Sequence, residues 1–358
     1  QQGCVLACAV SLDAIAAAAA NQSDRICVQS EGYPDVVLSL DDLSVRAEEA
    51  STSASLIRGI AARFRELGYA IGGFDAAISS QVPGGSGLSS SAAYEVLIAA
   101  IFDGLFNDGA AAPEELARIG QWAENHYFGK PCGLMDQTAS AMGGVTAIDF
   151  YDPQKPVIRT LPVDFAQFGY ALCIIDTGGS HMDLTAEYAA IPQEMNRVAQ
   201  LLGAEHLRYV TREALLEAIP RIRAEVGDRA ILRALHFLAE NRRAQLEATC
   251  LGLEQGEFGA FLHHVRESGR SSWMYLQNLY PAGAVEEQPV ALALACCEAF
   301  LNGKGACRIH GGGFAGTIQA FVPLDCCEAF VADMERITGP GSCRLLSVRA
   351  TGAAEILL

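Results

Sequence analysis

The segment Pro83-Gly-Gly-Ser-Gly-Leu-Ser-Ser-Ser-Ala-Ala93 concentrates glycines and hydroxyls directly ahead of an apolar run. Glycines let the backbone approach a ligand closely. The helix that follows offers unpaired N–H groups and the positive end of its dipole. Together they make a phosphate cradle. No Gly-Lys-Ser or Gly-Lys-Thr follows, so the segment is not a Walker A loop. A flexible surface linker has a similar composition, but a linker does not run straight into a helix as apolar as residues 92–106. Phosphate contacts are therefore expected from Gly84, Gly85, Ser86, Gly87, Leu88, Ser89, Ser90 and Ser91, with the serine hydroxyls able to bond phosphate oxygens or Mg2+.

Two carboxylates and a second glycine-rich turn are less specific when read alone. Glu124, in Trp-Ala-Glu-Asn-His-Tyr, reads as a solvated helical residue. Asp136, in Cys132-Gly-Leu-Met-Asp-Gln137, reads as a turn-capping carboxylate. Gly311, Gly312 and Gly313, in Arg308-Ile-His-Gly-Gly-Gly-Phe-Ala-Gly316, fit a hairpin turn with surplus glycine. Ser180 and Asp183 precede a helix; Ser180 reads as its cap and Asp183 remains open between capping and chemistry. His181 and His310 adjoin these segments without a metal-ligand pattern, and His263-His264 reads as a surface pair on a helix.

The elements that must position these residues follow from periodicity. Residues 4–10, 26–29 and 36–40 read as short strands. Leu56, Ile57, Ile60, Phe64 and Leu67 recur at helical spacing, closed by Gly68. A strand over 74–79 leads into the phosphate segment, and residues 92–106 form a buried helix. Pro113 opens another helix, to about Tyr127. Further on, 170–176 is a strand, a helix starts near Asp183, and a long helix runs from Asp228, as its N-cap, to Gly252. Residues 307–310, 317–322 and 343–348 read as strands, with a helix over 326–337. Strands and helices without steady alternation argue for α+β, not a doubly wound parallel sheet.

At 358 residues, two domains are expected. The boundary is placed near 155, in Tyr151-Asp-Pro-Gln-Lys-Pro156, giving domains 1–155 and 156–358. With 51% apolar and 19% charged residues the chain is globular rather than disordered. A net charge of −17 argues against nucleic acid and anionic membrane as partners. An ATP site in such a chain must be built locally, from backbone N–H groups and a metal ion. The twelve cysteines are scattered, several in apolar runs, with no Cys-x-x-Cys, and read as buried free thiols of a reducing compartment. The apolar runs are too short to span a bilayer and no secretory leader is visible, so the expected location is cytoplasmic.

The phosphate segment resembles the ATP-binding motif of the GHMP kinases, and Arg308–Gly316 resembles their third motif. Within that superfamily, Cys132–Gln137 is similar to the segment that carries the catalytic aspartate of the galactokinase family. Gly179-Ser-His-Met-Asp-Leu-Thr-Ala-Glu-Tyr188 resembles its sugar-contacting segment, and Arg233–Arg242 a helix of its second domain. The likeness covers essentially the whole chain. It implies a two-domain GHMP-kinase-like fold, N-terminal and C-terminal, with the active site between the domains. The implied reaction is phosphorylation of the C1 hydroxyl of galactose by ATP. By resemblance, Asp136 is catalytic, Ser91 and Glu124 hold Mg2+, and Gly133, Asp136 and Tyr188 meet the sugar. Gly311, Gly312 and Gly313 would bring backbone close to the nucleotide. Two alternatives are another sugar, such as N-acetylgalactosamine, and a noncatalytic galactose sensor; the intact Ser89-Ser90-Ser91 argues against the latter. The family's Gly-Arg-x-Asn and Glu-His-Thr-Asp segment, with its arginine, is expected upstream of residue 1. The resemblance leans to a monomer.

Overall fold

The computed structural model describes residues 1–84, 87–179, 184–253, 257–314 and 316–356. Gly85, Ser86, Ser180, His181 and Asp183 therefore lie outside the described residues. The chain divides into two compact units. One comprises residues 7–146 and 348–358, the other residues 1–6 and 147–347. Strands β1 (Cys4–Cys8) and, later in the chain, β6 (Val145–Asp149) contain two of the three points where the chain passes from one unit to the other; the third follows Ser347. Tyr151–Pro156 forms the turn that follows β6.

The unit of residues 7–146 and 348–358 is built on β2 (Ala14–Ala20), β3 (Arg25–Ser30), β4 (Val36–Ser39) and β5 (Phe74–Ser80), in the order β2-β5-β3-β4. Strand β5 alternates strictly, with Phe74, Ala76 and Ile78 buried and their neighbours outward. Helices α1 (Ser53–Glu66), α2 (Ser90–Asn107) and α3 (Pro113–Ala123) bring Ile57, Ile60, Phe64, Ile98, Phe102 and Ile119 onto that face. Helix α1 is capped by Thr52, whose side chain accepts from Ser55 N. Helix α3 continues into one π-helical turn, Glu124–Phe128, and α4 (Met135–Met142) follows. Residues 348–358 return to close this unit. Gly144 N donates to Arg349 O (2.7 Å), Arg349 N to Ala9 O (2.9 Å) and Ala353 N to Ala141 O (3.1 Å).

In the other unit, β7 (Val157–Leu161) extends a sheet of order β1-β6-β7. A second sheet, β11-β8-β10-β9, is antiparallel throughout. Its first strand in sequence is β8 (Tyr170–Asp176), followed by α5 (Thr185–Leu201), α6 (Arg212–Gly252), α7 (Phe258–Ser271) and α8 (Pro289–Leu301). Then come β9 (Ala306–Ile309), β10 (Thr317–Pro323), α9 (Cys327–Thr338) and β11 (Cys343–Leu346). Cys173, Ile175, Ile318 and Val322 of the sheet pack with Val290, Leu294, Phe330 and Met334. Helices α5 and α6 share a second core through Val198, Leu215, Ile222 and Ile231.

The α+β class expected from the pattern holds. The long helix begins at Arg212 and is broken at Gly227 (φ 75°, ψ 170°), so the expected start at Asp228 marks the resumption of helix after that break. Strand β2 had no signal, because Ala-Ile-Ala-Ala-Ala-Ala-Ala carries helix propensity. It is a strand because its backbone pairs with β5 along its whole length, Ala14↔Ser80 to Ala20↔Phe74. Tertiary pairing overrides local preference here. All twelve cysteines are free. Among the described residues no helix is long and apolar enough to cross a membrane.

Candidate active site

The phosphate segment lies where β5 hands over to α2. Gly87 adopts φ +73° and Ser89 is left-handed at φ 58°, ψ 46°, a conformation costing a non-glycine residue roughly 1–2 kcal/mol. Ser89 occupies the N-cap position of α2, yet its side chain does not cap the helix. Its hydroxyl donates instead to Asp136 Oδ2 at 2.6 Å. The start of an 18-residue helix is thus left without a side-chain cap from Ser89, as an anion site requires. Asp136 lies in the first turn of α4, where a carboxylate gains from the helix dipole. Gly133 is exposed two residues before that helix, and Ser90 and Ser91 are half-buried in the first turn of α2.

Behind Asp136 sits a buried polar group. Gln137 is 1% exposed and its Nε2 donates to Glu95 Oε2 (2.9 Å) and to Glu124 Oε2 (3.1 Å). Glu95 comes from α2 at 0% exposure and Glu124, at 2%, opens the π turn. π turns of this kind occur often at functional sites. Gly120 admits Glu95: a Cβ there would lie 3.0 Å from Glu95 Cβ and 3.3 Å from its Oε2. Burial, with Glu124 adding to it, pushes the Glu95 carboxyl up to about 8, so it holds its proton at neutral pH. The Cys132 thiol is also pushed up, by burial and then by Glu124. Asn125 clamps the backbone of Cys132, accepting from its N (2.7 Å) and donating to its O (3.4 Å), and Gln121 Nε2 reaches the same carbonyl at 3.2 Å. The path from the π turn to Asp136 is therefore held at both ends.

Glu124 Oε1 is buried and has no hydrogen-bond partner. The Lys130 ammonium approaches it at 3.6 Å from an exposed position. A buried carboxylate oxygen without a donor, beside a helix N-terminus that suits phosphate, fits a hard cation with oxygen ligands. Among the described residues, no group of three or more His, Cys, Asp and Glu side chains could hold a metal by itself. Phosphate oxygens and hydroxyls would have to complete the shell.

In the other unit, Gly311, Gly312 and Gly313 form the turn between β9 and β10. The close approaches that require glycine there are made by the chain itself. A Cβ on Gly313 would lie 2.3 Å from Asn278 O, and one on Gly312 would lie 2.9 Å from Tyr188 Cε1. Asn278 Nδ2 also donates to Gly312 O (3.1 Å). Tyr188 donates its hydroxyl to Gly313 O (2.8 Å) and its ring meets Phe314 edge-on at 5.4 Å. His310 Nδ1 pairs with Thr317 Oγ1 at 3.0 Å, across the base of the turn. His263 and His264 lie together on α7, His263 exposed.

Residues 55–144 match the family described as GHMP kinases N terminal domain. A galactokinase of Streptomyces coelicolor is 33% identical over 287 residues, which are 80% of this chain and 70% of that protein. The chain belongs to the galactokinase family. A galactokinase of Clostridium tetani is 29% identical over 326 residues, 89% of this chain and 79% of the relative. The fold is shared with the crystal structure of Lactococcus lactis galactokinase complexed with galactose (TM-score 0.81, 20% identity, 99% of this chain and 90% of that one). A crystal structure of mevalonate kinase also shares it (TM-score 0.63, 14% identity, 98% and 94%). This galactokinase-family chain is thus a sugar kinase by kinship. Sequence reading had singled out Ser89, Glu124 and Asp136, and the structure brings them into one unit with Ser91. It had passed over Glu95, Asn125 and Gln137. Glu95 carried a signal: it is the first of only two carboxylates in an otherwise apolar helix, the other being Asp103. Asn125 and Gln137 carried none beyond lying next to Glu124 and Asp136.

Proposed function

We propose that this chain phosphorylates the C1 hydroxyl of galactose with ATP, giving galactose 1-phosphate and ADP. The observation that carries the reading is the 2.6 Å hydrogen bond from Ser89, at the head of the phosphate-binding helix, to the Asp136 carboxylate. It ties a candidate proton acceptor to the anion cradle of the same unit. In this reading the C1 oxygen attacks the γ-phosphorus, the bond from phosphorus to the bridging oxygen breaks, and the hydroxyl proton passes towards Asp136. Phosphoryl transfer depends mainly on positioning and charge neutralisation. The α2 N-terminus with Ser89, Ser90 and Ser91 would bind phosphate oxygens. Glu124, through Oε1, which accepts no hydrogen bond and has the exposed Lys130 ammonium at 3.6 Å, and Ser91 would hold magnesium. Magnesium bound there would neutralise charge on the transferring phosphate. Gly133 and Tyr188 are assigned to the sugar by kinship. The Tyr188 hydroxyl, which donates to Gly313 O, links that assignment to the third glycine-rich motif. We place the enzyme in the cytoplasm, acting as a monomer.

The test is ADP release from the protein with ATP, Mg2+ and a panel of sugars. Turnover with galactose that falls about 10²- to 10⁴-fold in Asp136→Asn supports the reading, the range expected for losing a positioned acid–base group. Preference for a different sugar corrects the substrate, and wild-type turnover by Asp136→Asn removes Asp136 from the reaction.

A further inference from the structure

We propose that Gln137 is a positioning residue for the divalent cation of the nucleotide, acting by fixing which oxygen of Glu124 is presented to it. This rests on the kinase reading above. A carboxylate has two equivalent oxygens and a side chain free to turn. In this molecule the equivalence is broken by one amide. The Gln137 Nε2 carries two protons, and its shortest bonds go to Glu95 Oε2 (2.9 Å) and Glu124 Oε2 (3.1 Å), with Cys132 Sγ a longer third acceptor at 3.6 Å. A flip would set the amide oxygen against the Glu124 carboxylate, so the bond to Glu124 holds the amide in this orientation. Glu124 Oε2 is therefore occupied and Oε1 is the oxygen left without a donor.

The amide is held from the far side as well. Glu95 is fully buried, admitted by Gly120, and packed so that its Oε2 faces Gln137. Gln137 follows Asp136 in the first turn of α4, so the residue that orients Glu124 is joined by one peptide bond to the residue expected to meet the acceptor hydroxyl. The same turn thereby registers the cation ligand against the proton acceptor. Glu95 serves in this scheme only as an acceptor, which a neutral amide oxygen can replace.

The experiment measures binding as well as turnover. Mn2+ with a non-hydrolysable ATP analogue is titrated against wild type, Gln137→Met and Glu95→Gln, and nucleotide binding is repeated in EDTA. Methionine keeps the volume of Gln137 but donates nothing. Gln137→Met is expected to weaken Mn2+–nucleotide binding about 10- to 100-fold, as loss of an outer-shell partner does, and to leave metal-free nucleotide binding within about twofold. Glu95→Gln, which keeps an acceptor for the amide, should retain wild-type Mn2+ dependence. The proposal is overturned if Gln137→Met binds Mn2+–nucleotide like wild type, or loses metal-free nucleotide equally. It is also overturned if Glu95→Gln, checked for folding by its melting curve, shows the full loss, since charge rather than orientation would then be at work. If Gln137→Met does not fold, the decision passes to Glu95→Gln against Glu95→Leu: a loss confined to leucine supports the lock, and equal behaviour overturns it. These titrations use no galactose, so a protein that binds Mn2+–nucleotide as described but phosphorylates no galactose would sink the function proposed above and leave the lock standing.

Discussion

A left-handed serine is an uncommon choice for the head of a helix, and Ser89 shows what it achieves. The conformation turns the hydroxyl away from capping α2 and onto Asp136. Two substitutions separate the backbone from the side chain. Ser89→Ala keeps the strained conformation and loses the hydrogen bond; Ser89→Gly loses the same bond and relieves the strain. Ser89→Gly should therefore be more stable than Ser89→Ala by about 1 kcal/mol in denaturant unfolding, while both lose turnover to a similar extent. Equal stability of the two would show that the left-handed backbone carries no strain, and wild-type turnover in either would show that the serine is not acting through Asp136. At this scale the sequence was half legible. The residue types of the phosphate segment announce an anion, and Glu124 and Asp136 stand out once a family is in view. That Ser89 would turn to a carboxylate 47 positions away is a consequence of backbone geometry, which residue type does not encode.

At the scale of elements, the site depends on how closely α2 and α3 approach, and that approach is set by Gly120. An alanine there meets Glu95 at 3.0 Å, inside ordinary contact distance, so either α3 withdraws or Glu95 moves off Gln137. Gly120→Ala is expected to lower stability by about 1–3 kcal/mol, the range for overpacking a core, and to weaken Mg2+-dependent turnover more than galactose KM. The measurements are urea unfolding and steady-state kinetics against Mg2+; an unchanged Mg2+ dependence would show that the helices repack without disturbing the carboxylates. Helical periodicity and the strands bounded by turns gave most elements their type in advance, including α1, α2, α9 and β8. Helices α4 and α8, strands β6 and β7 and above all β2 were not foreseen, and of α7 only the helical pair His263-His264 was read. The alanines of β2 have no side chain large enough to declare a face, so only the partner strand decides what they become.

Across the whole molecule, buried ionisable groups set how stability varies with pH. Burial pushes Glu247 up to about 7, with the Arg308 charge opposing and that of Glu240 adding, and its Oε1 has no hydrogen-bond partner. A carboxyl whose folded value lies above its unfolded value stabilises the fold fully below the unfolded value, near 4.5, and loses that contribution as pH rises through 7. Glu95 acts in the same direction up to about 8. His236, lowered to about 4 by burial, acts oppositely, its contribution being lost as pH falls through that value. Melting temperature is accordingly expected to decline from about pH 6 to pH 8, and Glu247→Gln to flatten the portion below pH 7. A variant that melts with the same pH slope as wild type would remove Glu247 from this account. The sequence suggested a boundary near residue 155, in a turn; the passages inside β1 and β6 leave no trace in composition, because each strand runs on without a break across them.

The return of residues 348–358 to the first unit has a consequence for biosynthesis. Arg349 and Ala353 bond to Gly144, Ala9 and Ala141, at the far end of the helix whose first turn carries Asp136. A ribosome releases those residues only after the roughly two hundred that make up the other unit. The unit that holds Ser89 and Asp136 thus emerges early but waits, with the end of α4 unclasped, until residues 348–358 are made. For that interval the nascent protein carries an unfinished edge, and a chaperone that covers it would be guarding the same backbone groups that Arg349 and Ala353 later claim.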